Sequence, residues 1–163
     1  MTTQIDSANI PIAMDLSSLA TSSTLTTGVN STEVQNSAGY VDALVTVLPI
    51  IGGATAPAAG QLIGLYIAGQ NVSFATNPIA GIDGSAGSCI LTYGSTLNSL
   101  RMVGWPTVTN ATGGLPYIIE PFSVAQQFGC IMPKFWCLFL AHNHTGSLAA
   151  AQSALFSYNG ITY

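Results

Sequence analysis

Residues 135–140 read Phe-Trp-Cys-Leu-Phe-Leu, an apolar run that is continuous rather than alternating. Successive side chains of a β-strand point to opposite faces, so the odd-numbered and even-numbered residues of this run form two faces, both apolar. A strand that is apolar on both faces is covered on both, whereas a sandwich strand normally shows one face to solvent. We therefore expect one face to lie in the core and the other to be covered by a loop such as 49–60 or by a neighbouring subunit. The aromatic residues favour the subunit.

Short strands are also predicted over the rest of the chain after residue 39. Between Val41 and Leu48, Val or Ala occupies every odd position, the period of a half-buried strand. Residues 123–128 predict a single helical turn. Further strands, bounded by Gly, Pro, Asn or Ser, are predicted at 62–68, 89–93, 99–103, 117–120, 134–141 and 155–163. About seven strands of this kind predict an all-β fold, an antiparallel β-sandwich or jelly roll.

Residues 1–38 differ from the rest, because Ser and Thr clusters separate isolated Leu and Ile residues. Ser and Thr compete for backbone hydrogen bonds and oppose a helix, although a short amphipathic turn over Pro11–Ala20 is compatible with the pattern. The sequence predicts an extended N-terminal arm over 1–38 that becomes ordered on a partner, and a β-sandwich body over 39–163.

The charge content excludes one class of partner and points to another. The chain has 163 residues, with two basic and six acidic side chains, and 48% of its residues are hydrophobic. Two basic residues cannot form a phosphate-binding patch, so no nucleic-acid partner is expected. A surface with so little charge favours coverage by other chains, which predicts a homo-oligomer.

No membrane or secretory segment is expected. The longest apolar run, Ile131–Ala141, has eleven residues and contains Pro133 and Lys134, whereas a spanning helix needs about 20. The N-terminus has neither a basic region nor an apolar core of a signal peptide. The cysteines, without C-x-x-C spacing, are typical of buried thiols made in a reducing cytosol: Cys89, Cys130 and Cys137.

His142 and His144 are the most suggestive local pair for chemistry. Residues i and i+2 share a strand face, so both imidazoles could reach one metal ion, with Glu120 or Asp83 as a third ligand. The alternative is a turn, because Thr145-Gly146 is typical of a hairpin. The sequence lacks a nucleophile elbow, a phosphate loop and a pair of clearly placed carboxylates. We expect neither an enzyme nor a cofactor.

The C-terminal part resembles small structural proteins of tailed bacteriophages, from about Tyr40 onward. The residues that carry this resemblance are Tyr40–Thr46, Leu100–Gly104, Glu120–Ala125, Phe128-Gly129, Pro133–Trp136, Asn143–Gly146 with Leu148, and Tyr158–Ile161. The resemblance implies a virion component with a β-sandwich body, assembled in the host cytoplasm. Proteins of this kind decorate or cement capsids, or belong to tails and fibres.

Sequence and resemblance together predict a capsid decoration or cement protein that binds the major capsid protein and sister subunits, with a trimer by analogy with icosahedral three-fold positions. A tail or head-fibre subunit is the alternative. A carbohydrate-binding module using Trp105, Tyr117 and Asn110 is a third possibility. The predicted interface residues are Phe135, Trp136, Leu138, Phe139, Leu140, Tyr158 and Tyr163.

Overall fold

The chain forms two antiparallel sheets that pack face to face. The computed structural model describes residues 3–6, 8–16, 19–49, 60–92, 100–104, 119–144 and 156–163. Sheet 1 contains β1 (Gln4–Ile5), β2 (Ile10–Pro11), β5 (Asp42–Val47), β9 (Ile119–Ser123) and β11 (Phe156–Thr162). Sheet 2 contains β3 (Thr27–Asn30), β4 (Val34–Gln35), β6 (Ile63–Gln70), β7 (Gly87–Ile90), β8 (Leu100–Gly104) and β10 (Phe135–His142). The prediction of an all-β sandwich is confirmed.

Strand order follows from antiparallel pairing between segments far apart in the sequence. Sheet 1 has the order β1-β11-β5-β9, with β2 also beside β11, and sheet 2 has the order β7-β3-β10-β6-β8, with β4 beside β10. The alternation predicted in 41–48 is confirmed, because Ala43, Val45 and Val47 are buried and the residues between them are half-buried. The predicted helical turn is α1 (Val124–Gln127).

The even-numbered face of β10 fills the space between the sheets. Trp136, Leu138 and Leu140 have no exposed surface and belong to the inter-sheet core, together with residues of β5, β9 and β11. The Trp136 ring meets the Tyr158 ring edge-on at 5.3 Å between centroids. This T-shaped contact joins the centre of sheet 2 to sheet 1.

The odd-numbered face of β10 is covered by the same chain. Cys137 and Phe139 are fully buried in a second apolar cluster, to which Phe74, Ile79 and Ile82 contribute from the connection between β6 and β7. The expectation that a neighbouring subunit covers this face is therefore wrong, and the described cover lies in residues 74–91 instead of 49–60, of which 50–59 lie outside the described residues.

The predicted interface set changes accordingly. Its β10 members are interior because both faces of β10 lie against apolar layers: Trp136, Leu138, Phe139 and Leu140 have no exposed surface, and Phe135 is half-buried. Tyr158, on β11, is also buried. Tyr163 alone of the set is well exposed, at 71%.

The described part of 1–38 is built into the sandwich and is not an arm. Residues of β1 and β2 pair with β11, and β3 lies between β7 and β10 inside sheet 2. Between β2 and β3, Ile12, Met14 and Leu16 are buried while their neighbours Ala13 and Asp15 are exposed. This period of two describes an extended segment, so the helical turn considered for 11–20 is not found in its described residues. We call residues 12–16 and 19–26 the crossover segment, because they connect the two sheets.

The cysteines follow the sequence expectation at two of three positions. Cys89 and Cys137 are buried free thiols, and burial raises the pKa of Cys89 to about 11. Cys130 is exposed, contrary to expectation, because it follows α1 in a turn with a left-handed φ of 65°. None of the described helical residues forms a helix long and apolar enough to cross a membrane.

The internal cover of β10 predicts a large effect for a residue outside the strands. Phe74→Ala should lower the free energy of unfolding by about 3–5 kcal/mol, because it empties a fully buried site. Val72→Ala, two residues away and 50% exposed, should change it by less than about 0.5 kcal/mol. Urea denaturation of both variants measures the difference, and equal values would contradict an own-chain cover.

Candidate functional site

His142 is the last paired residue of β10, and His144 lies two residues beyond it. Their side chains are 1% and 0% exposed, and the rings stack with centroids 3.8 Å apart and planes at 23°. His142 Nε2 lies 3.4 Å from the carbonyl oxygen of Leu19, and its Nδ1 has no hydrogen-bond partner. Burial lowers the pKa of His142, against the opposing effect of the Leu19 and His144 carbonyls.

This geometry does not make a metal centre. Nitrogen lone pairs lie in the plane of each imidazole, so two stacked rings direct them into separate parallel planes instead of toward one ion. Glu120 is exposed on β9, and Asp83 is engaged by Ser85 and Asn30. Among the described residues, no group of three His, Cys, Asp or Glu side chains could hold a metal ion.

Asp42 begins a hydrogen-bond network that fixes the start of α1. Its carboxylate accepts from the Ser123 hydroxyl at 2.6 Å and from the amides of Ala125 and Ala43 at 2.8 and 2.7 Å. Ser123 is the N-cap of α1 and accepts from the Gln126 amide. The two oxygens of Asp42 therefore serve the helix N-terminus, where a carboxylate stabilises unpaired amides.

Glu33 and Asp83 hold the connection that covers the outer face of β10. The Glu33 carboxylate accepts from the Ser73 hydroxyl and the Phe74 amide, and the Glu33 amide donates to the Gly84 carbonyl. Asp83 accepts from the amide and hydroxyl of Ser85 at 2.9 and 2.7 Å. The Ser85 hydroxyl, its amide and the Asn30 side chain lower the pKa of Asp83.

Asp6 and Tyr40 form a side-chain hydrogen bond beside sheet 1. The Tyr40 hydroxyl donates to Asp6 at 2.8 Å, and the Tyr40 ring occupies the space where a Cβ on Gly160 would lie. An aromatic ring over a strand glycine supplies the side-chain packing that the glycine lacks. The Ala8 amide and the Tyr40 hydroxyl lower the pKa of Asp6, and the same contact raises the pKa of Tyr40.

A cleft of about 520 Å³ lies beside the Asp42 network. A thiol becomes a strong nucleophile when a base or a positive charge lowers its pKa, but the described lining around Cys130 contains no His, Lys or Arg. The residues that line it are Thr3, Val41, Asp42, Ser123, Ala125, Gln126, Cys130, Ile161 and Tyr163. Since Asp42 is already hydrogen-bonded, the cleft lacks an activated pair for catalysis among its described residues.

Exposed apolar side chains are the remaining candidates for function. Ile90 on β7 is 64% exposed and Met102 on β8 is 57% exposed, and these strands lie at opposite ends of the described sheet 2. Sequence reasoning missed both residues, because their exposure depends on edge positions that only the strand order defines. The other large exposed apolar side chains are Ile5, Val72, Ile131 and Tyr163.

Several predicted residues lie outside the described part of the chain. These are Trp105, Asn110 and Tyr117 of the carbohydrate-binding hypothesis, and Thr145-Gly146 of the predicted hairpin. Comparison with protein-family models, curated proteins and solved structures found no match to this chain.

The Asp6–Tyr40 contact predicts a measurable change in a carboxyl pKa. Tyr40→Phe keeps the ring over Gly160 and removes the hydroxyl, so the Asp6 pKa should rise toward 3.8 while the Ala8 amide keeps it below that value. A carboxyl whose pKa is lowered in the folded state stabilises the fold at pH values above its ordinary pKa. This stabilisation is lost as the pH falls through the folded-state pKa. NMR titration of the carboxyl carbon gives the result.

Tyr66→Phe, on sheet 2, is the matched control and should leave the Asp6 titration unchanged. An Asp6 pKa that is the same in Tyr40→Phe and in the unmodified chain would show that the hydroxyl does not stabilise the ionised carboxylate.

Proposed function

We propose that this protein is a non-enzymatic structural component of a tailed-phage virion, a decoration or cement protein that binds the outside of the capsid and its own copies. The observation that carries the proposal is that most of the few acidic side chains are hydrogen-bonded within the chain. At least four of the six carboxylates accept hydrogen bonds from their own chain, at Asp6, Glu33, Asp42 and Asp83. These hydrogen bonds give each of the four carboxylates a role within its own chain, where it satisfies amides or hydroxyls.

A surface with few free charges favours permanent association. Covering a charged group costs free energy unless a partner replaces its water, and this chain has two basic and six acidic residues. Each apolar square ångström that is covered contributes about 25 cal/mol before the cost of association. The chemistry of the surface thus suits burial against other chains.

The edges of sheet 2 support association between copies. Strands β7 and β8 end the described sheet, and each presents backbone groups beside an exposed apolar side chain, Ile90 or Met102. Contact between two different edges is heterologous and closes into a ring when the rotation permits. The proposed interface is therefore the pair of sheet edges. It is not the aromatic strand or the N-terminal segment, because both of these pack inside the sandwich.

The resemblance to phage structural proteins is compatible with association through the edges of sheet 2. Its segments at 100–104 and 158–161 coincide with strands β8 and β11. The proposed partners are the major capsid protein and sister copies, in the virion.

The edge contact predicts a closed oligomer in solution. Light scattering after size exclusion should give a small multiple of the 16.7 kDa chain mass, with a trimer expected. Ile90→Lys or Met102→Lys should lower this mass, because an exposed lysine on an edge strand opposes pairing. Val72→Lys, at an exposed position in a connection, is the control. A monomer at every concentration would contradict association through the edges.

The virion location predicts a labelling pattern on particles. An antibody against the purified chain should label the shell of virions of the encoding phage evenly, as seen by electron microscopy. Particles that lack the protein should lose their DNA at a lower temperature and after milder osmotic shock. Label confined to the tail would contradict a capsid role, and unchanged particle stability would contradict cementing.

A further inference from the structure

The histidine pair lies where the crossover segment meets the end of β10. The Ser22 amide donates to the His142 carbonyl at 2.7 Å, and the Leu19 carbonyl faces His142 Nε2. On the other side, Asn143 exchanges hydrogen bonds with Leu62. Ring and backbone of His142 therefore both connect β10 to the crossover segment.

From this juxtaposition we infer that His142 and His144 form an acid-sensitive latch that holds the crossover segment against the sandwich and releases it when the rings are protonated. The Leu19 carbonyl can only accept, so the neutral His142 ring carries its proton on Nε2 and a bare lone pair on Nδ1. An added proton would go to Nδ1, which has no hydrogen-bond partner and is out of contact with water.

Protonation is costly at this site for two physical reasons. A charged imidazolium loses its hydration in a buried position. In addition, the second ring lies 3.8 Å away, so two charged rings would repel each other strongly in a poorly screened environment. Release of the crossover segment relieves both effects by returning the rings to water.

The described elements around the pair carry several titratable or charged groups. The crossover segment contributes Asp15, whose side chain is exposed. On β10, Cys137 lies on the opposite face and Lys134 precedes the strand; on β6, Tyr66 packs in the outer cluster. Sheet 1 presents Tyr158 to Trp136. Of these, Asp15 is the carboxylate whose own titration has to be separated from that of the histidines.

Release exposes a specific apolar surface. The crossover segment places four apolar side chains in the inter-sheet core, those of Ile12, Met14, Leu16 and Leu19. Strand β3 is held separately by β7 and β10. The latch can therefore open without dissolving sheet 2, and acid would convert a closed sandwich edge into an apolar binding surface.

Hydrogen exchange at two amides tests the latch in the unmodified chain. The Ser22 amide donates to His142, and the Ser31 amide donates to Leu138 on the same strand at 2.9 Å. Because burial lowers the folded-state pKa of His142 below 6.5, the released state binds more protons in acid, so the latch is most stable above pH 6.5 and weakens below it. From pH 7.5 to 5, the protection factor of Ser22 should fall up to about thirtyfold for one imidazole, with Ser31 unchanged.

Two variants identify the groups responsible. The double variant H142Q/H144Q should show Ser22 protection that is independent of pH, because amides do not titrate in this range. Asp15→Asn should keep the pH dependence of the unmodified chain. An NMR titration of the imidazole carbons in the unmodified chain provides a second readout that does not depend on the folding of the double variant, and in it His142 should titrate below 6.5.

Four results would overturn the proposal. Constant Ser22 protection between pH 7.5 and 5 would show that acid does not open the latch. Parallel loss at Ser22 and Ser31 would show global unfolding instead of local release. Retained pH dependence in H142Q/H144Q, or a His142 pKa at or above 6.5, would show that the rings are not the acid-sensitive groups.

Discussion

The whole structure depends on the burial of β10 between two apolar layers. One face of this strand meets sheet 1 through Trp136 and Tyr158, and the other meets Phe74 and Ile82 beneath the β6–β7 connection. A two-sheet sandwich normally needs only the first of these layers. Here the second layer turns a surface connection into part of the core, and the polar residues of that connection have to be positioned with it.

The scarce carboxylates do this positioning. Glu33 and Asp83 fix the two ends of the covering connection, while Asp42 fixes α1 and Asp6 fixes Tyr40 over Gly160. Most of the amides and hydroxyls that donate to these carboxylates lie in turns, in connections or at the start of α1. Most of the acidic side chains thus have a structural role within the chain. Where the backbone is irregular, they accept the hydrogen bonds that strand pairing provides elsewhere.

The sequence predicts local features of this fold better than long-range ones. Alternation in 41–48 and the two apolar faces of 135–140 are properties of consecutive residues, so they identify strands and require a cover for each face. The cover itself is formed by residues such as Phe74 and Ile79. Their neighbours include Gly, Pro and Asn, so the sequence of this segment is that of an ordinary surface loop. Likewise, the Ser and Thr clusters of residues 1–38 predict an arm that becomes ordered on a partner, because the sheets that bury Ile12 and Leu19 are formed mainly by residues elsewhere in the chain.

The same limit applies to the candidate sites. That His142 and His144 share a face follows from their spacing, but their stacking and burial depend on Leu19 and Leu62, which are distant in sequence. The exposed Ile90 and Met102 carry no distinguishing local signal, because the exposure of an apolar strand residue depends on what the rest of the folded chain places over it.

The strand order also has a consequence for the way the chain folds. Gln4 pairs with Thr162, and Ile10 pairs with Tyr158, so β1 and β2 find their neighbour only when the last strand has been synthesised. Loop closure over such separations is slow, and the early apolar residues are exposed to other chains in the meantime. Rapid translation of the C-terminal strands, or a chaperone that holds the N-terminal ones, would determine how much of this protein reaches its native state.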